Sequence, residues 1–527
     1  MIVKNLSVSY NSNSIIDKVN FTLNQDDRIG LVGLNGSGKT TLLKALAGVI
    51  PIQSGSVSLN NQTIGFLKQE IDLSDYNLSI INYIKKETKI DIIEKRLHEL
   101  ENTLTEENMD EYASLLDYFL AIDGYNFDEN LKYILDGLNL KEDVNFKVGN
   151  LSGGEKIKVL LAVVLLSNPD IMLLDEPTNN LDYNSILFLE NYLGSSSSKM
   201  IIVSHDEEFL NRIVNKIFLL ENGKIKEYNM TYNNYLMTRE NEYANELRNY
   251  EQLQEKRKEL KKKIEETSSW ASKGAQGKKK TDNDKLSRNY SKERSKKTSG
   301  KISQLNRELE SLKDISFVKK EDLSFDICYD NGKGNKDIYV NDLVCGYDSF
   351  KTDEINMDIP FGTRVNITGS NGSGKTTFIK TLLREIKPVQ GNINIGNYVN
   401  FGYLSQNTID SKSDLTIYEY LTNDLEDVDD AFLFALLNRF HINYEDRNKK
   451  YNILSPGERA KVNIVKLALN KVNVLILDEV TNHLDVETIN MICEVVCNFK
   501  GTIINISHNR KFNEIINADI VFDIEKH

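Results

Sequence analysis

Proline is scarce in this chain, with six among 527 residues, and so are cysteine (four), histidine (six) and tryptophan (one). Four cysteines without a C-x-x-C pair exclude a disulfide scaffold and a zinc ribbon. Cys493 and Cys497 stand one helical step apart, but no other cysteine or histidine lies near them in sequence. Thiols buried on a core helix are the favoured reading, and half a metal site the alternative. The longest apolar run, around Val159–Leu166, falls far short of the ~20 residues that cross a bilayer as a helix. The N-terminus enters a strand pattern almost at once, with no charged-then-apolar leader. A cytoplasmic protein with no membrane partner is expected. A net charge of −13 excludes a surface uniformly built for nucleic acid. The chain is also too long for one domain, and 40% hydrophobic residues suffice for two packed cores.

Two copies of one set of short motifs fill that length. The first runs Gly33-Leu34-Asn35-Gly36-Ser37-Gly38-Lys39-Thr40, then Leu151-Ser152-Gly153-Gly154-Glu155, then an apolar run ending in Asp175-Glu176. The second runs Gly369-Ser370-Asn371-Gly372-Ser373-Gly374-Lys375-Thr376, then Leu454-Ser455-Pro456-Gly457-Glu458, then a run ending in Asp478-Glu479. Serine to aspartate is 23 residues in both copies, and the following glutamate to a later histidine, His205 or His508, is 29 in both. One motif alone has false positives, but three in the same order twice mark a duplication. The one mismatch, 83 residues from Gln69 to Ser152 against 49 from Gln406 to Ser455, puts a 34-residue insertion in the first half.

The glycine-rich segments follow apolar strand patterns and precede helical ones, the context a phosphate-binding loop requires. Their backbone N–H groups would wrap phosphates at a helix N-terminus. Lys39 and Lys375 would neutralise the β- and γ-phosphates, Thr40 and Thr376 would place hydroxyls on Mg²⁺, and Thr41 and Thr377 follow them. Asp175 and Asp478 suit a Mg²⁺ partner, while Glu176 and Glu479 are placed to polarise an attacking water. His205 and His508 each follow a strand pattern and would donate to the γ-phosphate; a lone histidine there is usually structural, and the repeated spacing favours the site. Gln69 and Gln406 are candidate Mg²⁺ and water sensors. Tyr10 and Tyr347 are candidate adenine platforms, with core aromatics as the open alternative. ATP and Mg²⁺ are the expected cofactors, and hydrolysis the expected reaction.

The expected fold class is α/β, two P-loop domains joined by an antiparallel helical hairpin. The first domain covers 1–235, with an inserted helical arm about 80–125, where Ile92, Ile93, Leu97, Leu100 and Leu104 recur at helical spacing. The linker covers 236–318 and the second domain 319–527. Tyr243, Leu247, Tyr250, Leu253, Leu260 and Ile264 form one narrow stripe, and Ile302, Leu305, Leu309, Leu312 and Ile315 another, as two zipped arms require. The first arm, Arg239 to Thr267, would be about 43 Å long at ~1.5 Å per residue. A tip at about 268–281, poor in helix formers, carries Trp270, Lys273, Lys278, Lys279 and Lys280. Residues 255–301 hold 17 Lys/Arg against 7 Asp/Glu. That excess would meet rRNA phosphate, and Trp270 would stack on a base; a solvated charged hairpin is the alternative.

Both halves resemble the ATP-binding cassette superfamily. The resemblance implies cassettes packed head to tail, so that Lys39 shares a site with Ser455 and Gly457, and Lys375 with Ser152 and Gly154. ATP would then hold one chain's two cassettes in an intramolecular sandwich, as a monomer. Gly153, Glu155 and Glu458 complete the implied signature contacts. The second half departs twice: Pro456 removes a backbone donor, and Val480 stands where Pro177 stands in the first. Twin cassettes, the linker and the runs 175–182 and 478–485 resemble the ABC-F proteins. That branch implies a 70S ribosome partner, with the linker in the tRNA exit site contacting rRNA and P-site tRNA. Two functions follow by resemblance. One is protection of the peptidyl-transferase centre from lincosamides, streptogramin A and pleuromutilins, similar to the Vga-, Lsa- and Sal-type proteins. The other is a housekeeping translation factor. The modest insertion, the short stretch after His508 and the divergent tip favour protection. An exporter's ATPase subunit is a third reading, in which a basic hairpin has no evident use.

Overall fold

The computed structural model describes residues 1–10, 13–103, 105, 108–276, 300–310, 334–347, 350–405, 414–423, 425, 429–440, 442–470, 472–481, 484 and 486–525. They divide into two compact units, one holding residues 1–232 with 323–527, the other residues 233–322.

In the first cassette a sheet orders its strands Ile64–Phe66, Ile171–Asp175, Lys199–Val203, Arg28–Val32, Lys216–Glu221 and Lys224–Tyr228. All but the last pair are parallel. The run Ile171–Asp175 is buried throughout, as a parallel strand covered on both faces must be. The second cassette repeats the order with Phe401–Ser405, Val474–Asp478, Thr502–Ile506, Arg364–Thr368 and Ile520–Asp523, all parallel. The glycine-rich loops therefore leave the carboxyl ends of internal strands, the standard place for a ligand in such sheets. A second, antiparallel sheet packs over each loop-bearing strand; Leu6, Ile16, Ile29, Leu31 and Leu43 form part of the first of these cores.

The insertion is narrower than the 80–125 expected. Each half has an isolated bridge, Ser79 to Lys147 and Thr416 to Lys450. Each also has a helix beginning 20 residues before that lysine, Phe127–Gly137 and Asp430–Arg439. The helices Ile80–Thr88 and Ile417–Thr422, capped by Ser79 and Thr416, are likewise shared. The added residues are thus the helices Ile90–Asn102 and Met109–Ala121, which pack on one another through Ile93, Leu97, Leu100 and Phe119. Ile80–Thr88 belongs to the common fold because its buried face, Ile80, Tyr83 and Ile84, serves the cassette core.

In the other unit one helix runs without a break from Tyr232 to Gln276. At ~1.5 Å per residue its 45 residues extend about 68 Å, well beyond the 43 Å expected. The tip was expected to leave the helix at Ser268, but the helix passes through it to Gln276. Elongating an established helix costs little per residue, Ala271 and Ala275 favour it, and Gly274, its strongest opponent here, costs about 1 kcal/mol. The expected stripe is the shielded one: Tyr243, Leu247, Tyr250, Leu253 and Ile264 are half-buried and Leu260 fully buried. Residues 300–310 form a returning helix whose Ile302, Leu305 and Leu309 are half-buried, and Glu308 pairs with Lys256 at 3.7 Å. The side chains of Trp270 and Lys273, together with Lys278, Lys279, Lys280 and Gln406, lie outside the described residues. Cys493 is buried as expected, whereas Cys497, in the last turn of Val486–Asn498, is exposed.

Candidate functional site

Both loops turn through left-handed backbone that only glycine adopts cheaply. Gly38 has φ 99° and Gly374 φ 97°, and a Cβ at either would sit within 2.6 Å of Ile15 or Thr352. The helices Lys39–Leu46 and Lys375–Leu382 start at once, so their free N–H groups face the loop. Both lysines are buried and fold back on loop carbonyls. Lys39 Nζ donates to the Gly33 and Leu34 oxygens at 2.7 and 3.1 Å, and Lys375 Nζ to those of Gly369 and Ser370 at 2.9 and 2.8 Å. A cavity of about 280 Å³ opens beside the first loop. Asn35, Gly36, Thr40, Thr41, Gln69, Asp175, Glu176 and His205 are among the residues lining it.

At its floor Asp175 accepts from Gln69 Nε2 at 3.1 Å and from the Thr40 hydroxyl. Burial pushes its carboxyl above the usual range, and these bonds only partly offset that. In the second cassette Asp478 accepts from Thr376 Oγ1 at 3.4 Å and from Tyr403 Oη at 3.1 Å. Burial raises its carboxyl too. Tyr403 was missed as a site residue because it sits inside an apolar strand run. Alignment of the halves would have shown a hydroxyl where the first has Phe66. Among the described residues no cluster of three or more His, Cys, Asp or Glu is placed to hold a metal. One carboxylate, one hydroxyl and an amide suit Mg²⁺, which takes few protein oxygens and completes its shell from water and phosphate.

Glu176 and Glu479 hold φ of 51° and 52°, a conformation costing non-glycine residues about 1–3 kcal/mol. Their N–H groups are pinned to the next strand, donating to Val203 O and Ile506 O at 2.8 Å. His205 donates its backbone N–H to Glu176 Oε2 at 3.2 Å, and its Nε2 lies 3.3 Å from Oε1. Burial, with Asp175 beside it, pushes the Glu176 carboxyl up to about 8. His508 Nε2 is 3.9 Å from Glu479 Oε1, and burial, with Lys375 adding, pulls the imidazole down to about 4, so it is neutral at pH 7. Each site thus presents a buried cation, a carboxylate with its hydroxyl, a second carboxylate and an imidazole around one space.

The signature serines cap helices. Ser152 and Glu155, and Ser455 and Glu458, form complete capping boxes on Gly153–Leu166 and Pro456–Leu469. Each glutamate accepts from its serine's N–H and hydroxyl at 2.7–2.8 Å. Glu155 and Glu458, expected at ATP, hold their carboxylates on the cap. Pro456 occupies the first helical position, which needs no N–H for the helix, so Pro456–Leu469 has the same 14 residues as its counterpart.

The cassettes meet at the second loop. Asn371 Nδ2 donates to Asn180 O at 2.8 Å, and Lys141 Nζ lies 3.4 Å from Ser370 Oγ and 3.8 Å from Glu525. Asp182, also from the first cassette, bears electrostatically on Lys375 and His508. The expected neighbours in that site, Ser152 and Gly154, cap and open the helix Gly153–Leu166 of the same cassette. At the first loop the corresponding residues 482, 483 and 485 lie outside the described set, as does the side chain of Tyr10. Tyr347 is half-exposed at 50%, which removes the core-aromatic reading for it.

Residues 16–179 and 352–482, more than half the chain, match the family model described as ABC transporter, and 218–307 match a second model of the same description. The chain is 28% identical to ABC transporter F family member 2 of Arabidopsis thaliana, over 98% of this chain and 76% of that protein. It is 29% identical to the energy-dependent translational throttle protein EttA of Mycobacterium tuberculosis, over 97% of this chain and 88% of that one. Its fold is similar to that of the archaeal ribosome recycling factor aABCE1, solved in complex with the ribosomal stalk protein aP1. The TM-score there is 0.62 at 19% identity, covering 98% of this chain and 87% of that one. No described helix is long and apolar enough to cross a membrane. With two nucleotide sites of this geometry on one chain and a helical element between them, this protein is an ATPase of the ABC-F family.

Proposed function

We propose that this ATPase binds the 70S ribosome in the cytoplasm as a monomer and uses ATP to control how long its helical linker occupies the tRNA exit site. The observation that carries this is the 45-residue helix Tyr232–Gln276, whose far half bears the exposed Lys256, Lys258, Lys261, Lys262 and Lys263. A rod of about 68 Å has the reach to bring a basic surface deep into RNA, and its lysines would neutralise rRNA phosphates. A membrane partner would have no use for such an element. The relatives named for translation support the same reading.

In each site Mg²⁺ would be held by Thr40 and Asp175 with Gln69, or by Thr376 and Asp478 with Gln406, and would polarise the γ-phosphate. Lys39 and Lys375 leave their carbonyl partners to meet the β- and γ-phosphates. Glu176 and Glu479 orient the attacking water, and His205 and His508 hold the γ-phosphate side. Ser152, Gly153 and Gly154 close over the second nucleotide, Ser455 and Gly457 over the first, so ATP binding shuts the sandwich and hydrolysis releases it. The domains are taken as 1–235, 236–318 and 319–527.

On the ribosome the linker end, with Trp270 and Lys273–Lys280, would lie toward the peptidyl-transferase centre. It would protect that centre from lincosamides, streptogramin A and pleuromutilins. A second reading, a factor that tunes elongation, is favoured by the resemblance to a translational throttle protein. The test is drug susceptibility of a sensitive host expressing a variant with residues 268–280 rewritten. Protection should collapse while ATPase activity and expression persist, and Trp270→Ala alone should cost about 1–3 kcal/mol of ribosome affinity. Undiminished resistance from the rewritten variant excludes the linker as effector. No resistance from the parent chain leaves the elongation-factor reading.

A further inference from the structure

Asp175 and Asp478, Glu176 and Glu479, and His205 and His508 are each 303 residues apart. Beyond the insertion, that offset pairs each residue of the first cassette with its duplicate in the second. Applied just beyond the histidines, it sets Glu207 and Glu208 against Arg510 and Lys511: where the first half is acidic, the second is basic. These four residues begin the helices Glu207–Ile213 and Arg510–Ile516, which pack against each other across the cassette boundary.

The packing brings opposite charges together. Lys511 Nζ is 2.9 Å from Glu207 Oε2, and Arg510 is 3.2 Å from Glu208. Arg510 also meets Glu190 at 2.9 Å, and both of those side chains are largely buried. Arg212 of the first cassette pairs with Glu190 and Glu208, each at 2.8 Å. The acidic side therefore contributes three carboxylates and one guanidinium, and the basic side two cations. The six side chains in these ion pairs sum to zero across the boundary. The duplicates of Glu190 and Arg212 are Cys493 and Ile515, so neither half carries the other's arrangement. Two first cassettes placed face to face here would oppose two net-negative surfaces, and two second cassettes two net-positive ones. Like charges in direct contact are repulsive, and a pseudo-two-fold contact rejects a wrong partner by that means.

We propose that this charge match is a specificity element that seats the first cassette on the second. Glu207, Glu208, Arg510 and Lys511 act as positioning residues for the composite ATP sites. Their location gives them that leverage: each helix begins two residues after His205 or His508, so a shift in the contact moves both imidazoles relative to the opposing cassette.

The test uses the pair Lys511 and Glu207, since among the described residues no other ion pair at the contact involves either. Lys511→Glu, Glu207→Lys and the double exchange are made in the full chain. ATP turnover is measured at low and high salt, alongside melting temperature. Each single reversal should lower kcat about five- to tenfold at low salt, with KM for ATP changed less than twofold. The double exchange should return kcat to within twofold of the parent, because it restores the pair with its ends swapped. A purely local structural role would leave the double no better than its worse single. Single reversals with parental turnover, or a double exchange without recovery, overturn the proposal. Rescue decides the matter even where a single variant melts early.

Discussion

Replacing Glu176 with glutamine should make the nucleotide-free chain more stable, and increasingly so as pH rises. Glu176 titrates near 8 in the folded protein against a reference of 4.5, because burial and Asp175 disfavour the carboxylate. A carboxyl whose folded pKa is raised binds its proton more tightly folded than unfolded. Its contribution is intact below pH 4.5 and is lost progressively as pH climbs toward 8. At ~1.36 kcal/mol per unit, the loss is about 1.4 kcal/mol at pH 5.5 and about 4 kcal/mol at pH 8. Relaxation around the site takes back about half of each figure. Glutamine is neutral throughout and has nearly the same shape. The variant should therefore gain about 0.7 kcal/mol at pH 5.5 and about 2 kcal/mol at pH 8. For a cassette of this size the gain at pH 8 corresponds to roughly 4–8 °C in melting temperature. Scanning calorimetry of parent and variant from pH 5.5 to 8 measures it. A gain that does not grow with pH, or a loss of stability at pH 8, would refute the reasoning that the fold holds this carboxyl protonated.

Three further outcomes follow from the two sites. Replacing both Glu176 and Glu479 with glutamine should abolish turnover while ATP binding persists, and the closed form should accumulate on ribosomes and inhibit translation. Near-parental hydrolysis in that double variant would remove both residues from the reaction. Under the proposed head-to-tail closure the single replacements should differ, with Glu479→Gln the more costly, because its site would close against Ser152-Gly153-Gly154 and the other against a signature that Pro456 has deprived of one N–H donor. Equal losses in single-turnover assays count against that asymmetry. Tyr403→Phe removes the hydroxyl on Asp478 and should weaken Mg²⁺-dependent ATP binding at the second site about threefold to tenfold, while ATP binding without Mg²⁺ stays unchanged.

Much of this was legible in the residues because phosphate chemistry constrains spacing. The glycine loops, the aspartate–glutamate pairs and the two histidines could be found from recurrence alone, and the strands fall where the apolar runs end in Asp175 and Asp478. What escaped depends on three-dimensional partners. The capping bonds of Glu155 and Glu458 to Ser152 and Ser455 give these residues a structural task that the motif alone does not reveal. Tyr403 looks like core because its ring is packed in a strand while only its hydroxyl reaches Asp478. The helix through Ser268–Gln276 was hidden by local composition, since a helix already many turns long tolerates residues that would not start one. The extent of the insertion needed the matching bridges Ser79–Lys147 and Thr416–Lys450, which join residues distant in sequence.

Having both cassettes on a single chain changes what their contact must accomplish. Tethering replaces encounter between separate molecules with a local concentration set by the length and stiffness of the connecting segment and independent of how much protein a cell makes. Among the described residues, polar contacts cross the boundary, including Asn371 to Asn180 and Lys511 to Glu207. A joint that never has to capture its partner from dilute solution can be weak enough to open after every turnover. It re-forms without searching, and its closing rate is fixed by the length of chain between the halves.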